Sequence, residues 1–141
     1  MNNKTFDLAL LVLRMVLGIT MALHGAQKVG LLGDGSIQQT VEAMGKGGIP
    51  AVLAYCAIAA EFLGGIGLIL GFLGRIAALG ILITMSVAVF KVHLSSGFFA
   101  QDGGYEFPFV LAGIALALLL TGMGRLSLDA KMSGRGRSEG A

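Results

Sequence analysis

The chain is 141 residues long, with 55% hydrophobic residues, only 13% charged residues, 23 glycines, no tryptophan and a mean hydropathy of +0.85. A water-soluble domain carries about 25% charged residues, so this composition excludes a soluble or disordered chain and points to a membrane protein. The net charge of +2, with basic residues scattered everywhere except the C-terminal tail, excludes nucleic acid as a partner.

About 20 apolar residues cross a bilayer, so four spans with short connections nearly exhaust the sequence. The expected fold is an all-α membrane protein, a four-transmembrane-helix bundle over residues 1–129 followed by a polar, disordered tail over 130–141. There is no room in it for a separate catalytic domain. The single cysteine, Cys56, excludes an intramolecular disulfide, a CxxC pair, a cysteine-based metal site and a thiol relay within the chain.

In chain order, the first span is expected at about 6–23, with Arg14 as its only internal charge. It resembles a signal peptide in length, but Arg14 and the lack of a small-x-small cleavage site before His24 mark it as a retained helix. A polar, glycine-rich loop runs from His24 to Pro50, with a short interfacial helix expected from Ile37 to Met44. Pro50 suits the first turn of the second span, at about 51–72, which carries Glu61 near its middle. Gly74 and Arg75 make a tight turn into the third span, at about 76–93, which ends on Lys91 and His93. The stretch FFAQDGGY then reads as a loop, and the fourth span follows at about 107–123.

Lys and Arg outside the spans divide six against three. Lys4, Arg75, Arg125, Lys131, Arg135 and Arg137 lie on one side, and Lys28, Lys46 and Lys91 on the other. The positive-inside rule then puts both termini in the cytoplasm and the two longer loops on the outer face. Gly64, Gly67, Gly71 and Gly74 form a stripe suited to close helix packing.

Arg14 and Glu61 dominate the reading, because a charge inside the membrane pairs or lines a polar cavity. Counted from His24 and from Ala51, each lies about 15 Å deep, so an ion pair between antiparallel spans is expected. Such a pair serves either as a structural clamp or as the floor of an outward-opening polar pocket. Arg14, Gly18, Met21, Gly25 and Lys28 share a stripe that would line this crevice, with His24 at its rim. Lys91 and His93 lie about 200° apart on an ideal helix, so both face one cavity only if the helix has ended or unwound there. Asp102, Tyr105 and Glu106 enter from the start of span four. Two histidines on different helices offer no local ligand motif, so no metal site is expected and haem is disfavoured.

Together LRMVLGITMALHGAQK, AEFLGGIGLILGFLGRIAAL, FKVHLSSGFFAQDGGYEFP and GRLSLD resemble the DoxX family over about Leu8 to Asp129. The resemblance implies a small four-helix protein of the bacterial or archaeal inner membrane. It also implies an oxidoreductase connection, since the family includes proteins associated with thiosulfate:quinone oxidoreductase and a mycobacterial member of a membrane oxidoreductase complex. The positions matching the family are His24, Gln27, Lys28, Glu61, His93, Gly104, Tyr105 and Glu106.

The expected function is the membrane subunit of a quinone-linked oxidoreductase, with no covalently bound cofactor and a quinone headgroup in the outer half of the bundle. Glu61, His93 and His24 are the candidate proton-transfer groups. Arg14, Gln27, Lys28, Lys91, Tyr105 and Glu106 are the candidate headgroup-binding residues. Expected partners are the lipid bilayer, a redox subunit and further copies of the chain. The alternatives are a non-catalytic scaffold held by the buried charges, or a lipid- or small-molecule-binding or transport protein using the same crevice.

Overall fold

A computed structural model describes residues 3–134, and among these every regular element is helical. Helix α1 (Asn3–Lys28) is followed by the short α2 (Ile37–Lys46) and by α3 (Ala51–Leu70). Next comes α4 (Gly74–Val87), whose axis continues through a π-helical turn (Ala88–His93) and a 3-10 turn (Leu94–Ser96). After a loop, α5 (Glu106–Thr121) and a short α6 (Leu128–Met132) complete the chain. Asn3–Lys28, Ala51–Leu70 and Gly74–Ser96 are each long and apolar enough to cross a membrane, whereas Glu106–Thr121 is apolar but shorter. The expected interfacial helix is present as α2, capped by the Ser36 hydroxyl, which accepts from the Gln39 N–H. Helix α6 crosses the boundary expected at 129/130 and buries Ala130; residues 135–141 of the expected tail, with Arg135 and Arg137, lie outside the described residues.

Helix α1 packs on α3, α3 on α4, and α4 on α5, with a lighter contact closing the ring between α5 and α1. We call the end where α1 begins and α3 ends the base, and the opposite end, where α2 lies, the mouth. Leu17, Leu68, Ala78, Ile81, Ala115 and Leu118 form the fully buried centre. Large apolar residues such as Leu8, Val12, Val16, Ile19, Leu63, Ile76 and Leu120 point outward. A surface this apolar matches hydrocarbon rather than water, which identifies a multi-pass membrane protein.

The tightest contact is between α1 and α3, and it uses glycines. A Cβ on Gly25 would collide with Phe62, one on Gly65 with Ala22 and Gly18, and one on Gly18 with Gly65 and Ile69. Gly18 and Gly25 are therefore in the seam itself and Met21 is buried in the core, so none of the three lines an open crevice. Of the expected glycine stripe, Gly64 faces Ile81 and Ala77 of α4, while Gly71 and Gly74 meet Ser127 and Met123 at the base. Small residues thus let backbones approach on both faces of α3, the packing mode open to helices in lipid.

This register corrects the expected Arg14–Glu61 pair. Helix α1 runs on past His24 to Lys28, and with Gly25 beside Phe62 the level of Glu61 is the end of α1. Arg14 lies about 18 Å nearer the base at 1.5 Å per residue. Its guanidinium instead donates to four carbonyls: Nε to Leu68 at 3.0 Å, Nη2 to Ile69 at 3.1 Å, and Nη1 to Met123 at 2.9 Å and Leu126 at 3.0 Å. Leu68 and Ile69 belong to the last turn of α3, where carbonyls lose their i+4 helical partners, Leu68 O keeping only the Gly71 N–H of the cap, and where the helix dipole is negative. That environment, with the Asp129 carboxylate close by, accommodates the buried cation.

The GRLSLD segment completes the base. The Asp129 carboxylate accepts from Leu73 N–H and Gly74 N–H, both at 2.9 Å, and so caps the start of α4. Asp129 N–H donates to Gly71 O, and Asp7 Oδ1 accepts from Arg125 N–H at 2.8 Å. Leu73 has a left-handed backbone (φ 49°), a conformation disfavoured for a side chain with a branched bulk, and this cap holds it there.

Candidate functional site

A cavity of about 1000 Å³ opens at the mouth between α2, α3 and the α4 π-turn. Its wall on α3 is Leu53, Cys56, Ala57, Ala60 and Glu61, at the spacing of one helical face. On the α4 side the wall is Gly80, Ile83, Thr84, Val87, Ala88 and Lys91, again one face, continued by His93. Gln39, Thr40, Ala43 and Met44 of α2 cover it, so the connection between α1 and α3 does roof this part of the mouth. The lining is mostly apolar, with a few polar groups at separate points, which is the composition of a small-molecule site.

Glu61 is the deepest charge in this wall. Lys28, at the last position of α1, donates from Nζ to Glu61 Oε1 at 2.6 Å, with the lysine side chain 31% exposed and the carboxylate 3% exposed. Glu61 Oε2 is buried and has no hydrogen-bond partner among the described residues. Native structures leave few buried polar atoms in that state, so this one points to a group that the protein alone does not supply.

Across the cavity, the helix leaves α geometry from Ala88 to His93 for the wider π pattern, and both Lys91 and His93 line the same space. This is the unwinding that the sequence required for the two to share a cavity, and π-turns of this kind are frequent at functional sites. His93 Nδ1 lies 2.7 Å from Gly103 O; since a carbonyl only accepts, Nδ1 carries the proton.

The structure therefore brings together Lys28, Glu61, Lys91 and His93 and leaves the other expected site residues elsewhere. Arg14 is at the base. His24 is exposed and rests its ring against Phe107 of α5, 5.7 Å between centroids, away from the cavity. Gln27 is exposed and outside the lining. Tyr105 packs edge-on against Phe98 and Phe109, and Glu106 Oε2 accepts from Ala100 N–H at 2.9 Å, so both organise the 97–105 loop. Gly104 fits there because a Cβ would strike Gly97 O and Phe98. Sequence reasoning missed Gln39, Thr40, Cys56 and Thr84; the recurrence Gly80–Thr84–Ala88–Lys91 on one helical face was the available signal.

A second cavity, of about 520 Å³, lies at the base among Arg75, Arg125, Ser127 and Asp129. The Asp129 carboxylate in its wall already has both oxygens engaged in capping α4, so it reads as part of the base staple.

The DoxX family model matches residues 9–94, from α1 through the π-turn that carries His93. The chain belongs to the DoxX family. A Bacillus subtilis protein named "Putative oxidoreductase CatD" is 32% identical over 127 residues, covering 90% of this chain and 89% of its own length. An uncharacterized protein of Haemophilus influenzae is 42% identical over 62 residues, 44% of this chain and 41% of its own. No solved structure matches the chain.

Proposed function

We propose that this DoxX protein is the membrane subunit of a quinone-linked oxidoreductase and that the cavity at its mouth receives the quinone headgroup. The observation that carries the reading is the Lys28–Glu61 pair: a buried carboxylate with one oxygen left without a partner, in the wall of an otherwise apolar cavity of about 1000 Å³. The name of CatD gives the redox reading a second support. In this reading the bundle spans the inner membrane four times with both termini cytoplasmic, so that the cavity opens in the outer half of the bilayer.

The residues fit such a ligand. Apolar faces of α3 and α4 accept a ring, Lys28 and Lys91 offer positive charge to a ring oxygen, and Glu61 and His93 can hold a proton beside it. A bound quinone would supply two-electron, two-proton chemistry, and a partner subunit would exchange the electrons. The chain's own part is to desolvate the headgroup, fix its oxygens and move protons between Glu61, His93 and the mouth. Glu61 positions the Lys28 ammonium, and the Gly103 carbonyl fixes the tautomer of His93.

Cys56 supplies the test, because it is the chain's one cysteine and lies in the cavity wall. A short-chain quinone should slow maleimide labelling of Cys56 in the purified protein, and quinone should co-purify with the protein from its own membrane. Labelling that is indifferent to quinone, with no quinone in the lipid extract, would remove the reading.

A further inference from the structure

We infer that the cavity selects its ligand in the dihydroxy form, a hydroquinone in preference to the corresponding dione; this rests on the cavity being a quinone-class site. The distinction between the two forms is one of hydrogen-bond donors. A hydroquinone brings two O–H donors, and a dione brings only acceptors.

The two polar groups on opposite walls that are fixed by their own neighbours are both acceptors. Glu61 takes the Lys28 ammonium at Oε1, which leaves Oε2 as a buried acceptor in need of a donor. His93 must carry its proton on Nδ1 to meet Gly103 O, so the neutral ring has its lone pair on Nε2. Thr84 spends its hydrogen on Gly80 O and Thr40 on Ser36 O, while the Ser36 hydroxyl and the Gln39 amide on the α2 side can each donate or accept and so serve either form. Lys28 and Lys91 donate equally well to a hydroxyl or a carbonyl oxygen and so do not discriminate. The half-buried Lys28 side chain, held only at its tip, is the movable part beside Oε2 that can yield to an entering hydroxyl. A donor arriving at Glu61 satisfies an atom that otherwise carries the cost of burial, whereas a carbonyl oxygen arriving there meets lone pairs with lone pairs.

Calorimetric titration of the detergent-purified full chain under anaerobic conditions tests this with three probes: tetramethylhydroquinone, tetramethylbenzoquinone and the dimethyl ether of the hydroquinone. The hydroquinone should bind at least about tenfold more tightly than the dione. The ether, which keeps the ring but has no O–H, should fall to the level of the dione. In Glu61→Gln, whose amide also donates, the preference should shrink to within about threefold. A dione or ether that binds as tightly as the hydroquinone overturns the inference while leaving the quinone-class reading intact. Failure of all three probes to bind overturns that reading and the inference with it. Because the ether comparison uses the unaltered protein, the result does not depend on the folding of a variant.

Discussion

Arg14 is held by four carbonyls at 1% exposure, so replacing it with methionine takes a charged donor from Leu68 O and Ile69 O at the end of α3 and from Met123 O and Leu126 O, in a place water does not reach. Losing one side of such a buried charged network costs about 3–5 kcal/mol. Arg14→Met should therefore lower the unfolding midpoint in detergent sharply, and adding Glu61→Gln should not restore it, because the two sites share no contact and their effects should add. Rescue in the double variant would mean that the two charges do meet. The sequence made both residues conspicuous and hid their partners. Depth was countable only from an assumed helix end, and the HGAQK stretch looked like loop because it is polar, although the Gly25–Phe62 contact keeps it helical. Lys28, taken from the sequence as part of the crevice-lining stripe and a headgroup-binding candidate, is the partner Glu61 has. The cavity's acceptors were likewise half legible: His93 and Glu61 stood out, but the π-turn and the carbonyl of Gly103 that orient the imidazole have no signature in residue type.

The helices hold one another through places where a side chain has been omitted. Gly65→Ala and Gly25→Ala each drive a methyl group into the neighbouring backbone, so α1 and α3 must separate, at a cost of about 1–3 kcal/mol each. Gly113→Ala on α5 meets no atom within 4 Å and should be neutral or stabilise by up to about 1 kcal/mol through helix propensity. Thermal unfolding of the three variants side by side checks this, and equal losses would place the close contact elsewhere. At the base, Asp129→Ala removes both acceptors from the Leu73 and Gly74 N–H groups and should cost about 1–2 kcal/mol, as the loss of a helix cap does. Part of that loss should be recovered by Leu73→Gly, which adopts φ 49° without a side-chain penalty. Element positions were readable from hydropathy because each helix is a nearly continuous apolar run between glycine-rich turns. The face each helix presents was not, since α3 is apolar all round and its burial is decided by which glycine meets which neighbour.

At the scale of the whole molecule, the two ends of the bundle differ in charge chemistry, and this determines the side each should face. The base carries Lys4, Arg75, Arg125 and Lys131 among the described residues, against Lys28, Lys46 and Lys91 at the mouth. Lys28 is bonded to Glu61, which leaves the mouth with still less basic character to resist export. Helix α5 is the weak point in a four-span arrangement. Its 16 residues rise about 24 Å against a hydrocarbon thickness of about 30 Å. The folded 97–105 loop with its exposed Phe98 and Phe99 and the buried turn at Met123 extend the apolar band at either end of it. In a Cys56→Ser background, the exposed positions Asn3→Cys and Ser133→Cys mark the two chain ends at the base, and Gly45→Cys marks the mouth. An impermeant maleimide applied to intact cells should label Gly45→Cys alone, and should reach the other two only after the membrane is opened. Labelling of Ser133→Cys but not Asn3→Cys in intact cells would mean that α5 does not cross and that the number of spans is odd. Labelling of both ends and not Gly45→Cys would invert the bundle, so that the Lys28–Glu61 cavity would take its ligand from the cytoplasmic leaflet.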